Sequence, residues 1–368
     1  MRFTASSNDL KTALEGAMAC AAKRTTIPIL THVLVEAKAG KGGGVFITAS
    51  DLDCEVRLTV AASVQQEGAE AIDGGMFMAF VSRVKGGDVA LESIDGGVKL
   101  TSGRAKAELP TLPAETFPSL GRPDGMVQFA IDGDGFQDML AGVAHAASTE
   151  ETRYYLCGVY LHAQAGKWIA VTTDGHRLAK IELDAPSGGH ALPAIIVPVK
   201  TVQLVQKLFS GAAAIALHVS PVRVSIATDS ATLNSKLIDG MYPVYSRVIP
   251  RDQPHSIRTS RDGLVTAIGR ASVAADSGGD GAAVKLVLSG NTIVVSGSKG
   301  GNAASSDEVD AQCGDANFEI GATARYLTDA LAMLDGDDVT ISVSDPSSPF
   351  VFRGEREGAL AVVMPRRC

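Results

Sequence analysis

The feature that most constrains this chain is that it repeats itself. Three copies of one plan, each of about 125 residues, run through the sequence. Each copy opens with a short strand-like run followed by a helical pattern. Phe3-Thr4-Ala5 precedes Asp9 to Leu14, Phe129-Ala130-Ile131 precedes Phe136 to Leu140, and Ile257-Arg258-Thr259 precedes Gly263 to Ile268. In the first of these helices Leu10, Leu14 and Ala17 fall on one stripe, the spacing that buries a single helical face. A second helix recurs in each copy and stops at an equally spaced glycine, Gly86, Gly211 and Gly336. Glycine just past a helix end adopts φ > 0 without steric cost.

Strand-like runs fill the remainder. Val45 to Thr48, Val56 to Val60, Val222 to Ile226, Lys285 to Leu288 and Thr292 to Val295 are β-branched, often alternating, and bounded by Gly, Ser or Asp. Smaller echoes support the repeat: Thr48-Ala49-Ser50-Asp51-Leu52 matches Thr172-Thr173-Asp174-Gly175, and Phe117-Pro118 matches Tyr242-Pro243. Boundaries are expected beside Pro123-Asp124-Gly125 and Gln253-Pro254, giving domains 1–125, 126–252 and 253–368. The fold class is α+β, with two helices and several strands in each domain.

Charge and cysteine content limit the function. A net charge of −8 argues against a protein that grips phosphates over its whole surface. A nucleic-acid role then requires basic residues concentrated on one surface, or topological attachment. The five cysteines include no Cys-x-x-Cys pair, so neither a disulfide framework nor a zinc ribbon is expected. Met1-Arg2-Phe3 leads into polar Ser6, Ser7, Asn8 and Asp9, and the apolar stretch 16–22 is too short to span a bilayer. It reads as the end of an amphipathic helix, and a cytoplasmic protein without membrane association is expected.

Five segments carry a resemblance. They are Arg24-Thr25-Thr26-Ile27-Pro28-Ile29-Leu30, Arg153-Tyr154-Tyr155-Leu156-Cys157-Gly158, Thr173-Asp174-Gly175-His176-Arg177-Leu178-Ala179, the run 235–243 from Ser235 to Pro243, and Val362-Val363-Met364-Pro365. In this order and spacing, with the triple repeat, the chain resembles the bacterial beta sliding clamps, the beta subunits of DNA polymerase III. The resemblance implies three DNA-clamp domains per chain, closed head to tail with a second copy into a ring-shaped homodimer. Outer antiparallel sheets would surround helices that line a central hole. Duplex DNA would be encircled without sequence preference. The other partners implied are the DNA polymerase III catalytic subunit, the clamp loader complex, and other DNA polymerases and repair proteins with clamp-binding motifs. No cofactor, metal or catalytic residue is implied.

Residue by residue, the resemblance implies a partner-peptide cleft of Arg153, Tyr155, Leu156, Thr173, Gly175, His176, Arg177, Leu178, Pro243, Arg247, Val248, Ser348, Val362, Met364, Pro365 and Arg366. Leu156, Leu178, Pro243, Val248 and Val362 would make an apolar floor, and Met364 an adaptable gate. Gly175 would allow close backbone approach, and His176 and Arg177 would donate hydrogen bonds that set the peptide's direction. The alternative reading makes Leu156 and Leu178 plain core and Asp174, like Asp51, a turn stabiliser. Basic residues on or beside the helices include Lys11, Lys23, Arg83, Lys85, Lys200, Lys207, Arg261 and Arg270. The resemblance places Arg24, Lys11, Arg83, Tyr154, Lys200, Lys207 and Arg270 toward DNA, although each would equally suit a solvated helix face. It places Lys106, Ala107, Leu109, Val273 and Ala274 at the dimer seam. The resemblance places an apolar residue in many relatives where Arg366 stands, and larger apolar groups where Ala107 and Ala274 stand, so that only Leu109 and Val273 are bulky at the seam.

Two other readings remain open at this stage. Asp174, His176 and Arg177 could serve a hydrolase or metal site, but no His-Glu-x-x-His, Gly-x-x-x-x-Gly-Lys or Gly-x-Ser-x-Gly occurs. Asp132-Gly133-Asp134-Gly135 has a faint calcium-loop look, yet Phe136 stands where a third ligand belongs, which favours a turn. A repeat-built scaffold without a DNA role would share the cleft and lack the basic lumen.

Overall fold

A computed structural model describes residues 1–22, 24–40, 42–121, 126–275, 277–278, 281–299 and 303–367. Lys23, the boundary signal Pro123-Asp124-Gly125 and Cys368 lie outside the described residues. The helices fall two to a repeat: α1 (Ser7–Cys20), α2 (Gly74–Val81), α3 (Gly133–Ala144), α4 (Val199–Phe209), α5 (Arg261–Ser272) and α6 (Ala324–Ala332).

Local chemistry sets their ends. Asp73 accepts from the backbone N–H of Met76 at 2.7 Å, Asp132 from Gly135 at 2.7 Å, and Ser260 from Gly263 at 3.2 Å. Each satisfies an amide that the first helical turn leaves unpaired. The run from Asp132 to Gly135 is therefore the start of α3. Gly86, Gly211 and Gly336 all take the left-handed conformation, with φ of 77°, 74° and 87°.

By its contacts the chain divides into two compact units, Met1–Gln137 with Pro186–Pro193 and Lys200–Leu237, and Asp138–Ala185 with Ala194–Val199 and Ile238–Cys368. Each unit holds a 13-stranded sheet. The middle repeat contributes strands to both. In the first unit Ala231–Lys236 of repeat two pairs antiparallel with Cys54–Val60 of repeat one, in the register Ala231 to Leu58 and Ser235 to Cys54. In the second, Arg177–Asp184 of repeat two pairs antiparallel with Leu360–Val363 of repeat three, in the register Arg177 to Val363 and Lys180 to Leu360. Backbone ladders thus cross both repeat boundaries.

Many strands alternate buried and open positions, as in His32–Lys38 and Asp338–Val343. That is the pattern of sheets with one face covered. Phe3, Leu10, Leu14, Ile47 and Phe77 are fully buried in the first unit, and Met139, Phe350 and Phe352 in the second. Each such side chain contributes about 1.5–3 kcal/mol by leaving water. Two stretches keep one edge open. Among the described residues, 105–110 and 303–310 have a backbone ladder on one side only.

The echoing motifs around Asp51 and Asp174 are the same turn. Asp51 Oδ1 accepts from the amides of Asp53 and Cys54 at 3.0 and 2.7 Å. Asp174 Oδ1 accepts from His176 and Arg177 at 2.8 and 3.0 Å. The residue after each aspartate is left-handed: Leu52 at φ 77° and Gly175 at φ 93°. A side chain is strained there by about 1 kcal/mol. Leu52→Gly should therefore leave stability unchanged or raise it, and Gly175→Ala should lower it by about 1 kcal/mol in urea denaturation. Equal effects at the two positions would contradict the equivalence.

Candidate functional site

The second unit carries a continuous apolar cluster. Leu156, Ile169, Val171, Leu178, Ile196, Tyr242, Val351, Leu360 and Val362 are buried together. Tyr155, Tyr160, Ile238, Tyr245 and Ile249 pack on it, partly open. The Tyr160 and Tyr242 rings stack at 4.7 Å, and His162 Nε2 shares a hydrogen bond with the Tyr245 hydroxyl at 3.0 Å. Above this floor sit bare apolar side chains: Met241 is 90% exposed, Val244 61%, Val248 56% and Met364 42%. Pro243 and Arg247 are exposed in the same segment. The Met364 amide donates to the His176 carbonyl at 2.9 Å, so the chain beyond Val363 lies along the 174–177 turn.

The predicted floor residues thus split into two layers. Leu156 and Leu178 are core, which was the plainer of their two readings, and Val362 is buried with them. Val248, Pro243 and Met364 form the accessible layer. Tyr242, Tyr245, Ile169, Val171, Met241 and Val244 escaped the sequence reading. The apolar run 168–171 and the Tyr242-Pro243 echo were the available signals, but such a run marks any buried strand.

Arg177 departs from expectation. Its guanidinium donates from Nε to Asp174 Oδ2 at 3.0 Å, from Nη1 to Asp329 Oδ2 at 2.6 Å and from Nη2 to the His145 carbonyl at 2.5 Å. It also lies 4.4 Å over the Tyr326 ring. The arginine is buried, and these bonds tie the turn of repeat two to α6 of repeat three. Three of its five N–H donors are committed in this way, and it holds the wall of the site in place. Arg153 is held similarly, from Nε to Glu150 at 2.7 Å and from Nη1 to the Asp174 carbonyl at 2.9 Å. A Cβ on Gly175 would meet that Nη1 at 3.2 Å, so the glycine serves this approach as well as its φ. Thr173 Oγ1 donates to the Arg177 carbonyl at 2.7 Å. Ser348 Oγ donates to Asp345, whose carboxyl is pushed down to about 2 by hydroxyl and amide donors from Ser347 and Ser348. His176 stays exposed. Arg366 turns to the strands Gly281–Ser289 and Asn317–Thr323, with its amide on the Gly321 carbonyl at 2.8 Å and Nη1 on the Gly281 carbonyl at 3.1 Å. Pro365 lies between the backbone bonds of Met364 and Arg366.

The first unit supplies an internal comparison. Aligning the two turns places Glu55 where Leu178 stands, and the ladder places Asn234 where Val362 stands. There the floor is polar and satisfied. Asn234 Nδ2 donates to Glu55 Oε1 at 3.1 Å, and the Leu120 amide donates to Glu55 Oε2 at 2.9 Å. The bare apolar site belongs to the second junction.

Three family models cover nearly the whole chain: the DNA polymerase III beta subunit N-terminal domain over residues 1–121, its central domain over 130–244 and its C-terminal domain over 246–367. The chain belongs to the DNA polymerase III beta subunit family. It is 35% identical over 378 residues to the beta sliding clamp of Caulobacter vibrioides, covering 100% of both chains. It is 28% identical over 373 residues to that of Pseudomonas aeruginosa, again covering 100% of both. Among solved structures it is similar to a DnaN sliding clamp from Bartonella birtlesii bound to griselimycin, with TM-score 0.93, 30% identity and 100% of each chain covered. It is likewise similar to the Caulobacter crescentus pol III beta structure, with TM-score 0.91, 33% identity and 100% of each chain covered. This is a sliding clamp of DNA polymerase III, built of three clamp domains.

In this clamp the predicted DNA-facing residues occupy varied settings. Arg24, Arg83 and Lys207 are exposed, and Tyr154 is 54% exposed. Arg83 Nη1 donates back to the Ala79 carbonyl at 2.6 Å. Lys11 sits 3.9 Å from Glu15, and Arg270 is 2.9 Å from Asp307. Lys200 is more committed than expected: its ammonium pairs with Asp51 and donates to the Cys20 carbonyl at 3.0 Å. Lys200 and Lys207 share one groove of about 800 Å³ with Glu15 and Gln203. Of the predicted seam residues, Lys106 and Val273 are exposed, and Ala107 and Ala274 half-buried. Leu109 is buried within its own unit, because its strand register turns it inward. Among the described residues no group of three or more His, Cys, Asp or Glu is arranged to hold a metal. Nor is any helix long and apolar enough to cross a membrane.

One titratable group lies under this wall. His145 has no hydrogen-bond partner for either ring nitrogen among the described residues. Burial pushes its pKa down to about 4, and Arg177 and Arg325 add to the shift against Asp329 and Asp174. The folded state keeps the ring neutral, while the unfolded chain takes up a proton near pH 6.5. The stability that follows is full above pH 6.5 and lost as pH falls toward 4. Thermal melts of the intact protein should lose stability across this window, and His145→Phe should flatten that dependence. An unchanged slope in the variant would show that His145 does not titrate as described.

Proposed function

We propose that this clamp acts as a head-to-tail homodimeric ring, with domain boundaries after residues 125 and 252. Duplex DNA passes through it held by retention, without sequence reading. Weak phosphate contacts from Arg24, Lys11, Arg83, Lys200, Lys207, Arg270 and Tyr154 suit a body that must slide. A net charge of −8 keeps the rest of the surface from holding DNA. The protein has no catalytic centre in this reading and works in the cytoplasm. It tethers the DNA polymerase III catalytic subunit, the clamp loader complex, and other DNA polymerases and repair proteins.

The observation that carries the tethering role is the bare apolar layer over the buried cluster of the second unit. Large apolar side chains left in water on a monomer mark an interaction surface. Val248, Pro243 and Met364 would receive the apolar anchors of a partner peptide, with His176, Arg247 and Ser348 at its polar edge. Arg153, Thr173, Gly175 and Arg177 position the wall, and Leu156, Leu178 and Val362 support the floor.

A fluorescent peptide of the Gln-Leu-x-Leu-Phe type should bind saturably in a polarisation titration. Met364→Glu and Val248→Glu change exposed positions, so both variants should stay folded and each should weaken binding at least about tenfold. Unchanged affinity in both would remove the cleft from this place. The dimer has its own test. The open edges at 105–110 and 303–310 suit mutual strand pairing, with Lys106, Ala107 and Leu109 on one side and Val273 and Ala274 beside the other. Val273 is 84% exposed in the single chain. Val273→Glu should shift the sedimentation coefficient from dimer to monomer with the melting temperature of the domains retained.

A further inference from the structure

The segment 238–249 presents apolar side chains to which the cleft gives no role. Met241 is 90% exposed, more than any other large apolar side chain among the described residues, and Val244 is 61% exposed. Single apolar side chains in water are ordinary. These two are not single. Pro243 lies between them in the chain, Val248 follows, and no charged residue occurs from Gly240 to Ser246.

The segment is also held in place. Tyr242 is buried with its ring stacked 4.7 Å from that of Tyr160, and the Tyr245 hydroxyl shares its hydrogen bond with His162 at 3.0 Å. The Ile238 amide donates to the Ile196 carbonyl at 3.0 Å. A Cβ on Gly240 would meet the Tyr155 Cβ at 3.0 Å, so the backbone there lies close against that tyrosine. A surface fixed in this way gives up little conformational entropy when it is covered.

The first repeat provides the control. Matching Phe117-Pro118 with Tyr242-Pro243 puts Thr116 at the position of Met241 and Ser119 at that of Val244, and both are exposed. The same two outward positions carry hydroxyls in one segment and bare hydrocarbon in the other. Such a segment therefore folds without apolar side chains there, and their presence in repeat two calls for a contact.

Size and position decide which contact. A stable dimer buries about 800 Å² on each partner, and two side chains fall far short of that. Their segment also supplies Pro243 and Val248 to the cleft, so the ridge continues the apolar surface on which a partner peptide would sit. Resting on the cleft reading above, we propose that Met241 and Val244 form a further apolar subsite, which takes a large apolar side chain flanking the partner's core motif. Methionine adapts its shape to different neighbours, so the subsite selects for apolar bulk and not for one residue type.

The test uses the full chain and three labelled peptides sharing one Gln-Leu-x-Leu-Phe-type core. One carries serines on both flanks, one a tryptophan on its N-terminal flank, and one a tryptophan on its C-terminal flank. At least one tryptophan peptide should bind about fivefold more tightly than the serine peptide, and the gain should persist as ionic strength rises. Met241→Thr and Val244→Ser bring in the first repeat's residues at exposed positions, and each should lower that affinity ratio toward one. Met241→Leu should keep it.

Equal affinity of all three peptides would overturn the subsite and leave the cleft standing. So would a gain that persists in both polar variants. Failure of every peptide to bind would overturn the cleft and the subsite with it. In sedimentation, Met241→Thr should assemble as the parent protein does. A smaller assembly in the variant would show that a second copy covers the ridge, and would overturn the peptide assignment.

Discussion

The two backbone ladders that cross the repeat boundaries are the constraint on which everything else rests. Main-chain hydrogen bonding asks nothing of side-chain identity except room. Three repeats can therefore diverge widely and still be joined by the same register, Cys54 to Ser235 in one unit and Arg177 to Val363 in the other. Around each ladder the same three elements meet: an Asx turn, the C-terminal end of a repeat's first helix and the next repeat's second helix. Each junction sets one cation among them. At the first, Lys200 comes from the next repeat's helix to Asp51 and the Cys20 carbonyl. At the second, Arg177 comes from the turn itself to Asp329 of the next helix and the His145 carbonyl. The charge geometry is conserved within the molecule although the donor changes sides. Arg177 is the more deeply buried of the two. Removing a partner from such a pair typically costs about 3–5 kcal/mol, because the remaining charge stays out of water.

What could be read beforehand follows from the range of each interaction. Helix starts, glycine stops and the Asx turns are decided within four residues. Gly211 and Asp174 could therefore be assigned from the chain alone, whereas Asp132, expected in a turn, accepts from the first turn of α3. The division of the middle repeat between two sheets could not, since pairing of residue 235 with residue 54 depends on contacts far apart in sequence. The same limit hid the fate of the arginines. Arg177 and Arg366 were placed in the cleft by the resemblance. Arg177 is bonded to Asp329, and Arg366 to the Gly321 and Gly281 carbonyls, partners that no local pattern announces. Leu178 shows the converse: it was placed on the cleft floor with plain core as the alternative and it is buried, while of the bare side chains Val248 and Met364 were named beforehand and Val244 was not.

Divergence at the junctions also bears on how many partners one chain can hold. Identical repeats would present identical grooves, and each would accept the same apolar peptide. The first junction is closed to such a ligand by chemistry. Glu55 and Asn234 bond to one another, and the Leu120 amide completes the carboxylate. An apolar side chain placed there would cover hydrogen-bonded groups and return nothing for their lost water. At the second junction Leu178 and Val362 occupy those positions, and covering them is favourable. Two differences from its own sister junction thus separate a filled polar seam from an apolar surface that favours being covered. In the proposed two-chain ring this would leave one peptide site per chain.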